Sequence, residues 1–184
     1  MAKLGMVIDL KRCMGCQTCA LGCKMQNNVP MGTLWNRILT DGGEDVDSAR
    51  GEFPNLQKSW MPLACLHCEN APCAKVCPVG ATYRDNDGRV LINYDRCIGC
   101  RYCMAACPYN ARVFNWQDPV REPGFSYGDV PARPKGVVEK CTLCVERTSK
   151  GKEPVCVEVC PAKARIFGDL NAPTSEVSKA IHER

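Results

Sequence analysis

Three features are missing from this sequence of 184 residues. No stretch approaches 18 uninterrupted apolar residues, so we expect no direct membrane span. The first ten residues, MAKLGMVIDL, contain no cationic region, long apolar run or small-residue cleavage site, which predicts that the chain has no export signal of its own. Lysine and arginine are interspersed with acidic residues, so the modest net charge of +4 gives no support to nucleic-acid binding.

Residues that build a hydrophobic core are also scarce. The hydrophobic fraction of 45% includes 16 cysteines, so the remaining apolar residues can form only a thin core. Cysteine at this density indicates either a disulfide framework or a set of metal sites. Because the chain lacks an export signal, we expect it to fold in a reducing cytoplasm, where thiols stay available to metals.

The cysteines fall into four groups of four, and none is left over. Groups one and three share the spacing C-x2-C-x2-C-x3-C, whereas the middle gap holds four residues in group two and eleven in group four. Proline follows the last cysteine of groups two, three and four. The groups are Cys13, Cys16, Cys19 and Cys23; Cys65, Cys68, Cys73 and Cys77; Cys97, Cys100, Cys103 and Cys107; and Cys141, Cys144, Cys156 and Cys160.

The run C-x2-C-x2-C-x3-C-P is the bacterial ferredoxin signature, in which three thiolates hold one [4Fe-4S] cluster and the fourth reaches a neighbouring cluster. Gly15 and Gly99 supply the small residue that a tight cluster-binding loop needs. The x3 step predicts short helices over residues 19–23 and 103–107, which turn the fourth sulfur away from its own group. The sequence therefore predicts four [4Fe-4S] clusters on its sixteen cysteines.

Structural zinc is the main alternative for paired C-x2-C elements. Zinc does not call for a third cysteine two residues on or a fourth after x3, and it often recruits histidine, of which this chain has two. One of them, His67, could donate an N–H to a cluster sulfur, but a solvent-facing loop histidine is the commoner case. Disulfides are disfavoured by the density of near-neighbour cysteines.

Cations beside the cysteines would offset the negative charge of the clusters, each of which carries about −2 when oxidised and bound by four thiolates. About half of these cations are expected to be ordinary surface residues. The candidates are Lys11, Arg12, Lys24, Arg96, Arg101 and Lys140.

The order of groups and turns predicts an α+β fold of two bacterial-ferredoxin-like 2[4Fe-4S] domains, one inserted in the other. Residues 60–116 would form the inserted domain with groups two and three, and residues 1–59 and 117–184 the discontinuous domain with groups one and four. Short strands are expected at 4–10, 60–64, 90–94, 112–116 and 164–168. A hairpin is expected over 81–92, with Asn86, Asp87 and Gly88 as its turn. Residues 27–59 and 117–136 are expected to be extended surface loops.

The segments GMVIDLKRCMGCQTCALGCK and RCIGCRYCMAACPYNARVFNW, with the order and gaps of the four groups, resemble the iron–sulfur subunit of dimethyl sulfoxide reductase-family molybdoenzymes, including polysulfide, thiosulfate, tetrathionate and arsenate reductases. Nitrate reductase subunits replace the third cysteine of group three with tryptophan. This chain has Cys103 there, so all four clusters are expected to be [4Fe-4S].

The resemblance implies that the two groups of each domain exchange their fourth cysteines. Cluster 1 would take Cys13, Cys16, Cys19 and Cys160, and cluster 2 would take Cys23, Cys141, Cys144 and Cys156. Cluster 3 would take Cys65, Cys68, Cys73 and Cys107, and cluster 4 would take Cys77, Cys97, Cys100 and Cys103.

The resemblance also implies a relay of single electrons between a molybdopterin (Mo or W) catalytic subunit and a membrane anchor subunit with a quinone site, or another carrier. The chain shows no catalytic constellation, so we expect it not to be an enzyme by itself. The alternatives are a soluble polyferredoxin, or the beta subunit of a formate dehydrogenase or hydrogenase complex, many of which carry a C-terminal anchor not seen here. We expect a peripheral, membrane-associated complex. Co-export with the catalytic subunit to the periplasmic face is favoured, and the cytoplasmic face stays open.

Overall fold

A computed structural model describes residues 2–41, 48–119, 130–131 and 133–182 of the chain. Its elements are short helices and strands joined by turns, as the prediction of an α+β fold requires. The strands are β1 (Leu4–Ile8), β2 (Arg37–Asp41), β3 (Ser59–Leu63), β4 (Thr82–Arg84), β5 (Val90–Ile92), β6 (Val113–Phe114), β7 (Val138–Glu139) and β8 (Arg165–Asp169). The helices are α1 (Thr18–Gln26), α2 (Pro72–Lys75), α3 (Tyr102–Ala105), α4 (Val145–Thr148), α5 (Val155–Glu158) and α6 (Glu176–His182).

The described strands form four antiparallel pairs. β1 pairs with β8, with Leu4 opposite Asp169 and Ile8 opposite Arg165, so the beginning and end of the chain lie side by side. β4 and β5 form a hairpin. β2 pairs with β3, and β6 pairs with β7. The five strands and the hairpin expected from the sequence are present, with ends displaced by a few residues.

The interpretation of residues 27–59 as a surface loop is wrong in part. Residues 27–30 are buried, Trp35 is only 4% exposed, and β2 follows directly. The segment folds inward because Trp35 and Val29 pack against Cys23 in a small apolar cluster. Part of the second expected loop, residues 120–129 and 132, lies outside the described residues.

Two strand pairs connect residues 60–116 to the segments that flank them. The boundary placed between residues 59 and 60 falls inside β3, whose partner β2 precedes it. Likewise β6 ends before residue 116 but pairs with β7, which lies beyond it. The two sets of cysteine groups are therefore joined by backbone hydrogen bonds on both sides.

The cysteines themselves are part of the thin core. One buried cluster combines Cys73 and Cys103 with Val90, Ile92 and Val138, and two further cysteines pack against it. Burying thiols beside aliphatic side chains places the metal-binding groups where other proteins of this size place leucine. Among the described residues, no helix is long and apolar enough to cross a membrane.

Candidate metal centres

Four cavities are lined by the cysteines, three of them by four cysteines and one by five. They are site 1 (about 360 Å³; Cys13, Cys16, Cys19, Cys160), site 2 (about 690 Å³; Cys23, Cys141, Cys144, Cys156), site 3 (about 350 Å³; Cys65, Cys68, Cys73, Cys107) and site 4 (about 330 Å³; Cys77, Cys97, Cys100, Cys103). Cys65 of site 3 also reaches the wall of site 2. All sixteen cysteines lie in the described part of the chain, and all are free thiols.

Short helices divide the cysteines between neighbouring cavities. Helix α1 carries Cys19 to site 1 and Cys23 to site 2, since side chains four residues apart lie on one face, one turn from each other. The last cysteine of each remaining group follows the end of its helix: Cys77 after α2, Cys107 after α3 and Cys160 after α5. The helix expected over 103–107 is shorter in the structure, where it begins at Tyr102 and ends at Ala105.

The loops that carry groups one and three share an unusual backbone. Gly15 and Gly99 have φ values of 70° and 69°, and Gln17 and Arg101, two residues on, have φ values of 61° and 63°. A Cβ atom at Gly15 would overlap the indole of Trp60, and one at Gly99 would overlap the carbonyl oxygen of Gly136. Strained backbone of this kind persists where the surrounding structure fixes it, commonly at functional sites.

The thiols of site 2 are the most deeply placed. Burial, followed by the neighbouring thiols, raises the pKa of Cys141 to about 12 and holds that of Cys23 well above its usual range. Burial likewise raises the pKa of Cys156 to about 11. Because these groups keep their protons at neutral pH, a metal that binds there must displace them.

Hydrogen-bond donors already point at several sulfurs. The backbone N–H groups of Leu143 and Ala164 lie 3.4 Å and 3.3 Å from the sulfurs of Cys141 and Cys160. Asn27 Nδ2 lies 3.6 Å from Cys23 Sγ and 3.7 Å from Cys144 Sγ. Such donors stabilise thiolate sulfur and suit metal ligation.

Comparison with known proteins points to iron–sulfur clusters. The family model described as the 4Fe-4S dicluster domain matches residues 56–122 and 129–170, which contain groups two, three and four. A Halobacterium salinarum protein, provisionally named as the iron–sulfur subunit of a dimethyl sulfoxide reductase, is 59% identical over the whole chain, which covers 72% of that protein. The chain belongs to the iron–sulfur subunits of dimethyl sulfoxide reductase-family enzymes.

Other relatives of this iron–sulfur subunit serve different reductases. The arsenate respiratory reductase iron–sulfur subunit of a Shewanella species is 40% identical over 97% of the chain and 87% of its own length. The iron–sulfur cluster-binding subunit of a menaquinone reductase from Nitratidesulfovibrio vulgaris is 39% identical over 95% of the chain and 78% of its own length. The family resemblance drawn from the motifs is thus confirmed.

His67 is buried, although a solvent-facing loop residue was the commoner expectation for a histidine at this position. It is 8% exposed, its Nδ1 accepts a hydrogen bond from the Val90 N–H at 3.0 Å, and its ring lines site 2. Burial, followed by the Lys140 and Arg89 charges, lowers its pKa well below the usual value. The ring is therefore neutral, with its proton on Nε2.

The cations expected to offset cluster charge are mostly exposed. Lys140 is 1% exposed, and its ammonium donates to the carbonyl oxygens of Val90 and Cys141. Lys24 is half-buried and donates to the carbonyls of Pro30 and Thr33. The other four candidates, Lys11, Arg12, Arg96 and Arg101, lie at the surface.

Sequence reasoning missed two buried arginines beside the sites. Arg112 and Arg165 are 3% and 5% exposed. A usable signal was present, since each lies five residues after the last cysteine of a group in the repeated pattern Cys-Pro-x-x-Ala-Arg. Adjacency to a cysteine along the chain does not reveal them, because neither arginine is next to one.

Proposed function

We propose that the chain is an electron-transfer subunit that relays single electrons through four [4Fe-4S] clusters. The observation that carries this proposal is that all sixteen free thiols line one of four cavities, with Cys65 alone reaching two of them. Bound clusters would supply one-electron chemistry, and the protein would hold them, exclude water and set their potentials.

The proposed ligands are the four cysteines of each site. Among the described residues, no three cysteine, histidine or acidic side chains are arranged to hold a single metal ion. Sixteen thiols in four groups of four, two of the groups with the spacing C-x2-C-x2-C-x3-C, suit polynuclear clusters better than mononuclear zinc. The donors to Cys141, Cys160, Cys23 and Cys144 support the same assignment.

The proposed architecture is two ferredoxin-like halves, one inserted in the other. Sites 3 and 4 would belong to residues 60–116, and sites 1 and 2 to the flanking segments. The β1–β8 pair supports this arrangement because it brings the flanking segments together. The β2–β3 and β6–β7 pairs then hold the two halves against each other.

The contacts between cavities support a linear order from site 1 to site 4. Cys156 of site 2 interacts electrostatically with Cys19 of site 1, and Cys141 of site 2 with Cys65 of site 3. Arg112 lines site 3 and contacts Cys103 of site 4. Close spacing of successive clusters is what a relay requires.

The two ends of that order reach the surface. Cys16 of site 1 and Cys100 of site 4 are the exposed thiols of the sixteen. We propose that electrons enter and leave there, with site 1 beside a molybdopterin catalytic subunit and site 4 beside a quinone-linked membrane subunit or another carrier. The complex would be peripheral and membrane-associated, on the periplasmic face by co-export or on the cytoplasmic face. The chain itself would catalyse no bond change.

The stoichiometry of the anaerobically purified protein tests this function. We expect about sixteen iron and sixteen acid-labile sulfide per chain, and uptake of about four electrons in a reductive titration followed by EPR. Zinc in place of sulfide, or fewer than four electrons in a fully iron-loaded sample, would contradict the proposal.

A further inference from the structure

Two buried arginines occupy corresponding positions in the two halves of the cysteine pattern. Residues 107–112 read CPYNAR and residues 160–165 read CPAKAR. Arg112 immediately precedes β6, and Arg165 is the first residue of β8. The same local turn therefore delivers a guanidinium to each pair of sites.

Arg165 lies between sites 1 and 2. It lines both cavities, and its Nη2 lies 3.5 Å from the sulfur of Cys19 in site 1. The same nitrogen donates to Asn36 Oδ1 at 3.0 Å, which fixes the orientation of the guanidinium. Its charge also interacts with the Cys156 thiol of site 2.

Arg112 occupies the corresponding position beside sites 3 and 4. It lines site 3, and its positive charge acts on the Cys103 thiol of site 4. Arg112 Nη1 lies 3.3 Å from Thr82 Oγ1. Arg112 Nη2 is buried and has no hydrogen-bond partner among the described residues. A donor is thus left over beside the site 3 cavity.

Neither guanidinium has an acidic partner within the parts of the chain that the structure describes. Other buried arginines do: Arg89 lies 2.6 Å from Asp85, and Arg133 lies 3.6 Å from Glu139. A permanently charged guanidinium buried without a carboxylate is costly unless another negative group compensates it. Beside Thr82, Asn36 and Met6, the partners of these guanidiniums include cysteine thiols: Cys103 for Arg112, and Cys19 and Cys156 for Arg165.

We propose that Arg112 and Arg165 are matched redox-tuning residues, each a fixed cation shared by two clusters. Arg165 serves the clusters of sites 1 and 2, and Arg112 those of sites 3 and 4. Reduction adds negative charge to a cluster, so a buried neighbouring cation favours the reduced form and raises the reduction potential. This inference rests on the proposed function, in that the sites must hold [4Fe-4S] clusters.

Redox titration of the iron-loaded complex, followed by EPR, tests the assignment. We expect Arg165→Gln to lower two of the four midpoint potentials by at least about 59 mV, a tenfold change in a one-electron equilibrium. Arg112→Gln should lower the other two. Each variant is the control for the other, because the two arginines occupy the same local turn beside different sites.

Several outcomes would overturn the inference. The first is that all midpoint potentials stay unchanged in both variants. The second is that the same two midpoint potentials shift in both variants, and the third is that all four shift equally. Iron and sulfide are measured first in each protein. If wild-type protein lacks four clusters, the proposed function fails, and the arginine assignment fails with it; normal cluster content with unmoved potentials overturns the arginine assignment alone.

Lysine variants decide the result if a glutamine variant loses iron. Lysine keeps the positive charge but not the planar fork of donors. We expect Arg165→Lys and Arg112→Lys to keep iron. All four of their midpoint potentials should lie within about 59 mV of the wild-type values. Iron-loaded lysine variants in which two midpoint potentials fall by about 59 mV or more would contradict a role for charge.

Discussion

The pair of sites built from cysteine groups one and four (sites 1 and 2) and the pair built from groups two and three (sites 3 and 4) have the same local features. The two pairs differ in how deeply their thiols are buried. In both pairs the wall of each cavity combines three cysteines of one group with the last cysteine of the other, and a buried arginine lies beside them. In site 2 burial raises the pKa of Cys141 to about 12. In site 4 burial raises the pKa of Cys103, but hydrogen bonds from backbone N–H groups outweigh the burial of Cys77 and lower its pKa. The motif sets the chemistry of a site, and the segments packed around it set the depth.

The packing around site 2 comes from outside the cysteine motifs. Asn27 and Trp35 follow group one and are 2% and 4% exposed, and Asn27 contacts two sulfurs of the site. Site 4 is instead close to the surface, with Cys100 exposed. This contrast predicts that site 2 resists solvent and chelators better than site 4 does.

Removal of iron should have the largest effect. Because cysteines take the place of much of the apolar core, we expect iron-free protein to lose cooperative thermal unfolding, as measured by circular dichroism. During slow chelation, peptides from residues 141–160 should keep their hydrogen-exchange protection longer than peptides from residues 97–107.

Two results would contradict this ordering. Cooperative unfolding of fully iron-free protein would show that the thiols and apolar residues suffice without metal. Earlier loss of protection at residues 141–160 would show that burial of site 2 does not slow iron release. An anaerobic sample kept without chelator is the control for both measurements.

Much of this arrangement could be predicted from the sequence, because cluster-binding cysteines have a fixed local spacing. The strand at Val90–Ile92 and its hairpin partner were likewise predictable from a turn containing Gly88. The strand at Arg37–Asp41 was not, since it is stabilised by pairing with β3 rather than by a local pattern. The repeated pattern Cys-Pro-x-x-Ala-Arg marks the position of Arg165, but its burial beside Cys19 and Asn36 depends on contacts with residues far away along the chain.

A buried ionic network links the two pairs of sites. Glu139 is 0% exposed and accepts hydrogen bonds from Trp35 Nε1 at 3.1 Å and Asn115 Nδ2 at 2.6 Å. Arg133 Nε lies 3.6 Å from the same carboxylate and stacks its guanidinium over the Trp35 ring. The network therefore joins the segment after group one to the strand after group three.

Glu139→Gln should have the second largest effect. The substitution replaces the carboxylate beside the buried Arg133 guanidinium with a neutral amide, whose NH2 group would face another donor. The free energy of unfolding should fall by about 3–5 kcal/mol. The apparent Tm of the iron-loaded protein should fall by on the order of 10 °C. Glu69→Gln is the matched control, because the Lys3–Glu69 pair is exposed and contributes about 0–1 kcal/mol. Equal Tm values for the two variants would show that the buried network does not hold the pairs of sites together.

The smallest predicted effects come from replacing glycines of the cluster-binding loops with alanine. These variants test which atoms cover the sites at the two ends of the proposed order. Gly15 of site 1 faces the Trp60 side chain, Gly99 of site 4 faces the backbone oxygen of Gly136, and Gly80 has no atom within 4 Å of an added Cβ. All three have φ between 61° and 70°, so alanine costs each about 1–2 kcal/mol from backbone strain.

The neighbouring atoms then decide the order. A side chain can move aside from a new methyl group, whereas Gly136 is held by a hydrogen bond from its N–H to the Asn115 carbonyl oxygen at 2.8 Å. We therefore expect apparent Tm to fall most in Gly99→Ala, less in Gly15→Ala and least in Gly80→Ala, with loss of the site 4 EPR signal in Gly99→Ala. If Gly80→Ala were as damaging as Gly99→Ala, backbone strain alone would account for the glycines. If Gly15→Ala were the most damaging, the Trp60 ring would be the more rigid cover, and site 1 rather than site 4 would be the more tightly enclosed end.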